Sequence, residues 1–91
     1  MILTPEGEGE METRVAIISI IVDNPESVEE LNALLHEYAR YVIGRMGIPY
    51  RAKEINIISV AVDAPMDSIN TLAGRLGRLS GVTAKAIYSA K

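Results

Sequence analysis

Sixteen residues, from His36 to Arg51, hold the single histidine, three of the four tyrosines and three arginines. Within this stretch Tyr41, Arg45, Tyr50 and Arg51 offer planar hydrogen-bonding and cation-π surface. Gly44 and Gly47 lie between them and would let a ligand approach the backbone. Two kinds of chemistry fit that set. It can hold an anionic or aromatic effector, or it can build an interface in which the arginines pair with acids of a neighbouring subunit. The candidate ligand-binding or interface residues are therefore Tyr41, Gly44, Arg45, Gly47, Tyr50 and Arg51.

His36 is the one candidate metal ligand or general base, and a lone histidine on the solvated side of a helix makes no site by itself. Asp23 and Asp63 could act as a carboxylate pair, but each opens an Asp-x-Pro turn, and helix capping explains them without chemistry. Gly74-Arg75-Leu76-Gly77-Arg78-Leu79 resembles a phosphate loop only on the surface. It lies inside a helical stripe and lacks the G-x-G-x-x-G spacing, so its two glycines are expected to let that helix pack closely. The chain has no cysteine, no HExxH and no placeable Ser-His-Asp set. No metal is expected, no cofactor is named by the residues, and a non-enzyme is expected, with a small ferredoxin-like enzyme of unknown reaction as the alternative.

The elements that must position these residues follow from periodicity. Two runs match at an offset of 40 residues, Ile17-Ile18-Ser19-Ile20-Ile21-Val22-Asp23-Asn24-Pro25 and Ile57-Ile58-Ser59-Val60-Ala61-Val62-Asp63-Ala64-Pro65, with six identities in nine. Both runs are apolar at odd and even positions, the mark of central strands, predicted over Thr13 to Asp23 and Ile55 to Asp63. Asn24 caps a helix beginning at Pro25, whose apolar stripe is Val28, Leu31, Leu35, Tyr38 and Val42. Residues 41 to 51 form a second strand. Pro49 confines it to a sheet edge, and the glycines make a bulge plausible. Without a bulge Val42, Met46, Ile48 and Tyr50 share one face, and Tyr41, Ile43, Arg45 and Arg51 the other. Ile69, Leu72, Leu76 and Leu79 define a second helix stopped at Gly81, and Val82 to Tyr88 closes as the last strand.

The order predicted is strand, helix, strand, strand, helix, strand. This is an α+β, ferredoxin-like βαββαβ sandwich, a four-stranded antiparallel sheet with two helices on one face. Residues 1–12 read as a disordered acidic tail and residues 13–91 as the domain. Two helices cover only one sheet face, while Ser19 and Ser59 are nearly the only polar residues in the central strands. A homo-oligomer, dimer or tetramer, is the simplest cover for the other face.

A chain of 91 residues buries only about 60% of its unfolded surface, so a partner subunit would add stability. The net charge of −3 divides into −8 over residues 1–37 and +5 over residues 38–91. The bases of the second half are dispersed, so no tight direct nucleic-acid binding is expected. No apolar run approaches the length of a membrane span, and a cytoplasmic location is expected.

The stretch His36-Glu37-Tyr38 with Tyr41-Val42-Ile43-Gly44-Arg45-Met46-Gly47-Ile48-Pro49-Tyr50-Arg51, then Ile57-Ile58-Ser59-Val60 and Leu76-Gly77-Arg78-Leu79-Ser80-Gly81-Val82, resembles the small proteins described as regulators of the iron-only hydrogenase system. The resemblance covers residues 11 to 91. It implies an ACT-like domain, similar in fold to the C-terminal sensor domain of the nickel-responsive repressor, and a part in regulating transcription that includes sensing of a small effector, with a metal- or small-molecule-binding sensor without a hydrogenase link as the alternative. The chain departs from these relatives in two places. A nickel sensor needs several histidines and a cysteine, and only His36 is present. Amino-acid-binding ACT domains carry a glycine after the Asp-x-Pro turn, where this chain has Glu26 and Met66.

Overall fold

The computed structural model describes residues 12–90, so all of the predicted tail except Glu12 lies outside the described residues. The strands are β1 (Arg14–Val22), β2 (Val42–Tyr50), β3 (Ile55–Ala64) and β4 (Val82–Tyr88). The helices are α1 (Val28–Glu37) and α2 (Met66–Gly77). All strand pairs are antiparallel in the order β2-β3-β1-β4, so the two strongly apolar strands are central and the proline-bearing β2 is an edge. This is the ferredoxin-like α+β sandwich.

Strand alternation sorts the apolar residues into two sets. Ala16, Ile18, Ile20 and Val22 of β1 and Ile58, Val60, Val62 and Ala64 of β3 are buried beneath Leu31 and Leu35 of α1 and Ile69, Leu72 and Leu76 of α2. The alternate residues face away from the helices. The register pairs Ser19 with Ser59, and the repeat maps one onto the other, so the internal two-fold passes between them.

The β1–α1 connection is tied to the turn before β4. Asn24 Oδ1 accepts the Glu26 N–H at 3.0 Å, and a single 3₁₀ turn, Pro25–Ser27, precedes α1. Buried Ser27 donates its hydroxyl to the Ser80 carbonyl at 2.6 Å, and the Asp23 N–H donates to the Gly81 carbonyl at 2.7 Å. Gly81 has φ +68, and a Cβ there would lie 2.7 Å from the Asn24 Cβ.

Two local expectations are corrected. Asn24 caps the first helical turn, as expected, but Asp63 does not cap the second helix: it is still within β3 opposite Val15, and Pro65, which precedes α2, provides no side-chain cap. Gly74 and Gly77 are not close-packing sites either, because a Cβ at either position would meet nothing within 4 Å. Among the described residues no helix is long and apolar enough to cross a membrane.

Candidate functional site

The edge strand is shaped by one irregularity. Val42 pairs with Val62 but Gly44 pairs with Ala61, so Ile43 is an extra residue in a bulge. Side-chain direction alternates along a strand, and the extra residue inverts every direction after it. Val42 faces the helices. Beyond the bulge Arg45, opposite buried Val60, also lies on the helix side, while Met46, Ile48 and Tyr50 follow Ser59, Ile57 and Ile55 onto the open face. The bulge thus splits the apolar set that a regular strand would have kept together.

Arg45 reaches across to α1, where a guanidinium N–H donates to Asn32 Oδ1 at 3.1 Å. Together they border a groove of about 300 Å³ between α1 and β2, whose other lining residues are Leu35, His36, Ala39, Val42 and Val60. Asn32 and His36 are four residues apart on α1 and share one side of it. The groove has an apolar floor and three polar groups at its rim, none of them a carboxylate. Among the described residues Arg45 has no ion pair, the one salt bridge being Arg75 with Glu37. Two residues singled out in the sequence, Arg45 and His36, are brought together here. Asn32 and the floor were missed. The i, i+4 spacing of Asn32 and His36 on the polar side of α1 was the available signal.

The remaining candidates lie elsewhere. Tyr41, in the 3₁₀ turn Ala39–Tyr41, packs against the core, its ring centroid 6.5 Å from that of Tyr38 and the Arg40 guanidinium 5.2 Å from its centre. Gly44 closes the bulge, and Gly47 lies over Ile58, whose side chain is 4.0 Å from where a Cβ would sit. Tyr50 is on the open face, and Arg51 begins the 3₁₀ turn Arg51–Lys53 at the far end of β2. The candidate set is thus distributed over the core edge, the groove, the open face and a turn. Asp23 and Asp63 fall at opposite ends of antiparallel strands, about 25 Å apart at 3.3 Å per residue, too far to act as a carboxylate pair. Among the described residues no three histidine, aspartate or glutamate side chains are grouped to hold a metal ion.

A second groove, of about 390 Å³, runs between the helices and is bordered by Glu30, Glu37, Arg75 and Arg78. Two of these four charges are paired with each other. Arg75 donates to both Glu37 carboxylate oxygens at 2.8 and 3.3 Å and to the Tyr38 hydroxyl at 3.3 Å, and lies 5.9 Å from the centre of that ring. These hydrogen bonds hold the Glu37 carboxyl below the usual carboxylate range and raise the already high affinity of Arg75 for its proton.

The open sheet face is the largest unusual surface. Val15, Ile17, Ile21, Met46, Ile48, Tyr50, Ile57 and Ile87 project from it, each between 40 and 64% exposed. Ser19 and Ser59 lie opposite one another at its centre, with Lys85 across from Ser19 on β4.

The protein TM1266 from Thermotoga maritima, titled an uncharacterized protein, has a solved structure that superposes with a TM-score of 0.81 at 33% identity, covering 85% of this chain and 98% of that one. No curated protein matches the chain. The family model "TM1266-like: Iron-only hydrogenase system regulator, putative" matches residues 14–86, which include both helices and nearly all of the sheet. The chain belongs to this TM1266-like family.

Proposed function

We propose that the chain is a non-enzymatic regulatory module of the iron-only hydrogenase system, working in the cytoplasm as a homo-oligomer whose subunit contact is the open sheet face. The observation that carries this reading is the collection of eight large apolar side chains on one face of the sheet. Four strands about 4.8 Å apart and roughly 27 Å long give a face of about 500 Å² before side-chain relief is counted. That is somewhat over half of the ~800 Å² each partner contributes to a standard interface, and at the upper end of what monomers leave exposed. The internal two-fold at Ser19 and Ser59 relates β1 to β3, so the centre of the face repeats similar apolar residues on either side, and a second copy of the chain is its simplest cover. Regulation then passes through an effector or a protein partner rather than direct DNA contact. The basic side chains Arg45, Arg51, Arg78 and Lys85 sit on different elements instead of forming one positive surface. Light scattering on the full chain tests the assembly. A dimer or tetramer at micromolar concentration is expected, and a clean monomer would overturn it.

A further inference from the structure

The internal repeat supplies its own control for the bulge. At an offset of 40 residues the counterpart of Arg45 is Lys85, and β4 pairs with β1 without a register shift, so Lys85 lies opposite Ser19 on the open face. A regular β2 would place Arg45 opposite Ser59 on that same face. The extra residue Ile43 instead turns Arg45 to the helix side, beside Asn32 and His36. Bulges that re-aim one side chain are typical of the borders of binding sites. The re-aimed group carries a full positive charge. Its hydrogen-bond partner is a neutral amide, and no carboxylate pairs with it among the described residues.

We infer that the groove between α1 and β2 is a binding site for a small organic carboxylate with an apolar body. Arg45 supplies the charge-assisted contact that fixes the carboxylate. The Asn32 amide nitrogen and the His36 ring add donors at the same rim, because the Asn32 oxygen is already engaged by Arg45. Exposed Ala39 and half-buried Val42, backed by the core residues Leu35 and Val60, take the apolar body. The volume of about 300 Å³ is at the small end of ligand pockets, which limits the ligand to a short chain or a single ring. The helix–helix groove is larger but is bordered by the carboxylates of Glu30 and Glu37, which oppose an anion, and its Arg75 is already paired with Glu37. That this ligand is the effector of the regulator rests on the function proposed above. The binding itself does not, because every lining residue comes from one protomer.

The test is a titration of the full, isotopically labelled chain with hexanoate and with phenylacetate, followed by the backbone amide signals. Hexanamide, acetate and inorganic phosphate serve as controls, and light scattering is run on the same samples. Saturable shifts confined to Asn32, His36, Ala39, Val42 and Arg45 are expected. Arg45→Gln should weaken binding about tenfold or more, the loss typical of a charge-assisted hydrogen bond. The neutral amide and the two small anions should each bind at least about tenfold more weakly than hexanoate. The proposal falls if neither carboxylate gives saturable shifts at the groove by about 10 mM, a limit weaker than most effector affinities. It falls equally if hexanamide or acetate matches hexanoate, if Arg45→Gln binds as tightly as the parent chain, or if that substitution changes the oligomeric mass and so marks the groove as a subunit contact. A monomeric parent chain that still binds hexanoate would sink the assembly and leave the site.

Discussion

Three glycines carry opposite consequences at the residue scale. Gly81 holds the left-handed conformation that ends the α2 turn, and its hydrogen atom faces the Asn24 side chain and backbone at distances no Cβ could occupy. Gly81→Ala should therefore destabilise the fold by roughly 1–3 kcal/mol, from backbone strain plus displacement of the α1 cap, read as a lower midpoint in chemical denaturation. Gly74 is the contrary case. It lies inside α2 with open space where a side chain would go, so Gly74→Ala should raise stability by about 1 kcal/mol through helix propensity alone. A loss of stability on that substitution would mean that a partner uses the space. Gly77, at the end of the same helix, is equally unhindered, and neither glycine is held there by packing.

At the element scale, the two helices touch each other mainly through their sheet-facing stripes, and the Arg75 clamp on Glu37 and Tyr38 closes the seam on the solvent side. The Glu37 carboxyl is held below its usual range, so the folded state binds fewer protons there than the unfolded chain. Its contribution is therefore fully present at neutral pH and fades as the pH falls through and below the carboxylate range. The pair is solvent-exposed and its effect is correspondingly small. Glu37→Gln should be measurably less stable than the parent chain at neutral pH and low salt. The difference should vanish in strong acid and shrink at about 1 M salt, where the screening length is about 3 Å. A difference that persists across pH would assign the loss to the Glu37 side chain's packing rather than to its charge.

For the whole molecule, the sandwich is complete on one side only. The helix side is a closed aliphatic core, whereas the opposite side presents isoleucines, valine, methionine and tyrosine around a pair of serines. Ile17 is central on that side, paired with Ala61 on β3 and Ile87 on β4. Ile17→Asp leaves the core untouched and would put an unpaired charge in the proposed subunit contact. It should weaken assembly by at least a hundredfold, on the order of 3 kcal/mol, with little loss of monomer stability. Light scattering against concentration, with circular dichroism to verify the fold, separates the two. An unchanged mass would move the subunit contact to another surface.

Much of this architecture was legible in the sequence because its signals are local. The continuous apolar runs Ile17 to Val22 and Ile57 to Val62, broken only by Ser19 and Ser59, mark central strands, the stripes of Leu31 and Leu35 and of Ile69, Leu72 and Leu76 mark the buried side of each helix, and Pro49 marks an edge, each a property of a single element. Those signals sufficed for the element order, the strand order and the core. The placement of Arg45 was decided by the hydrogen-bond register of β2 against β3, a contact between residues far apart in the chain. One residue more or less in the bulge reverses every side chain after it. The same distance in sequence concealed the meeting of Arg45 with Asn32 and His36, and the separation of Asp23 from Asp63 by the length of the sheet. It concealed as well the empty space beside Gly74. The sequence determined which residues want to be inside, and only the tertiary pairing decided which polar groups meet, because directions within an element are periodic while meetings between elements depend on register.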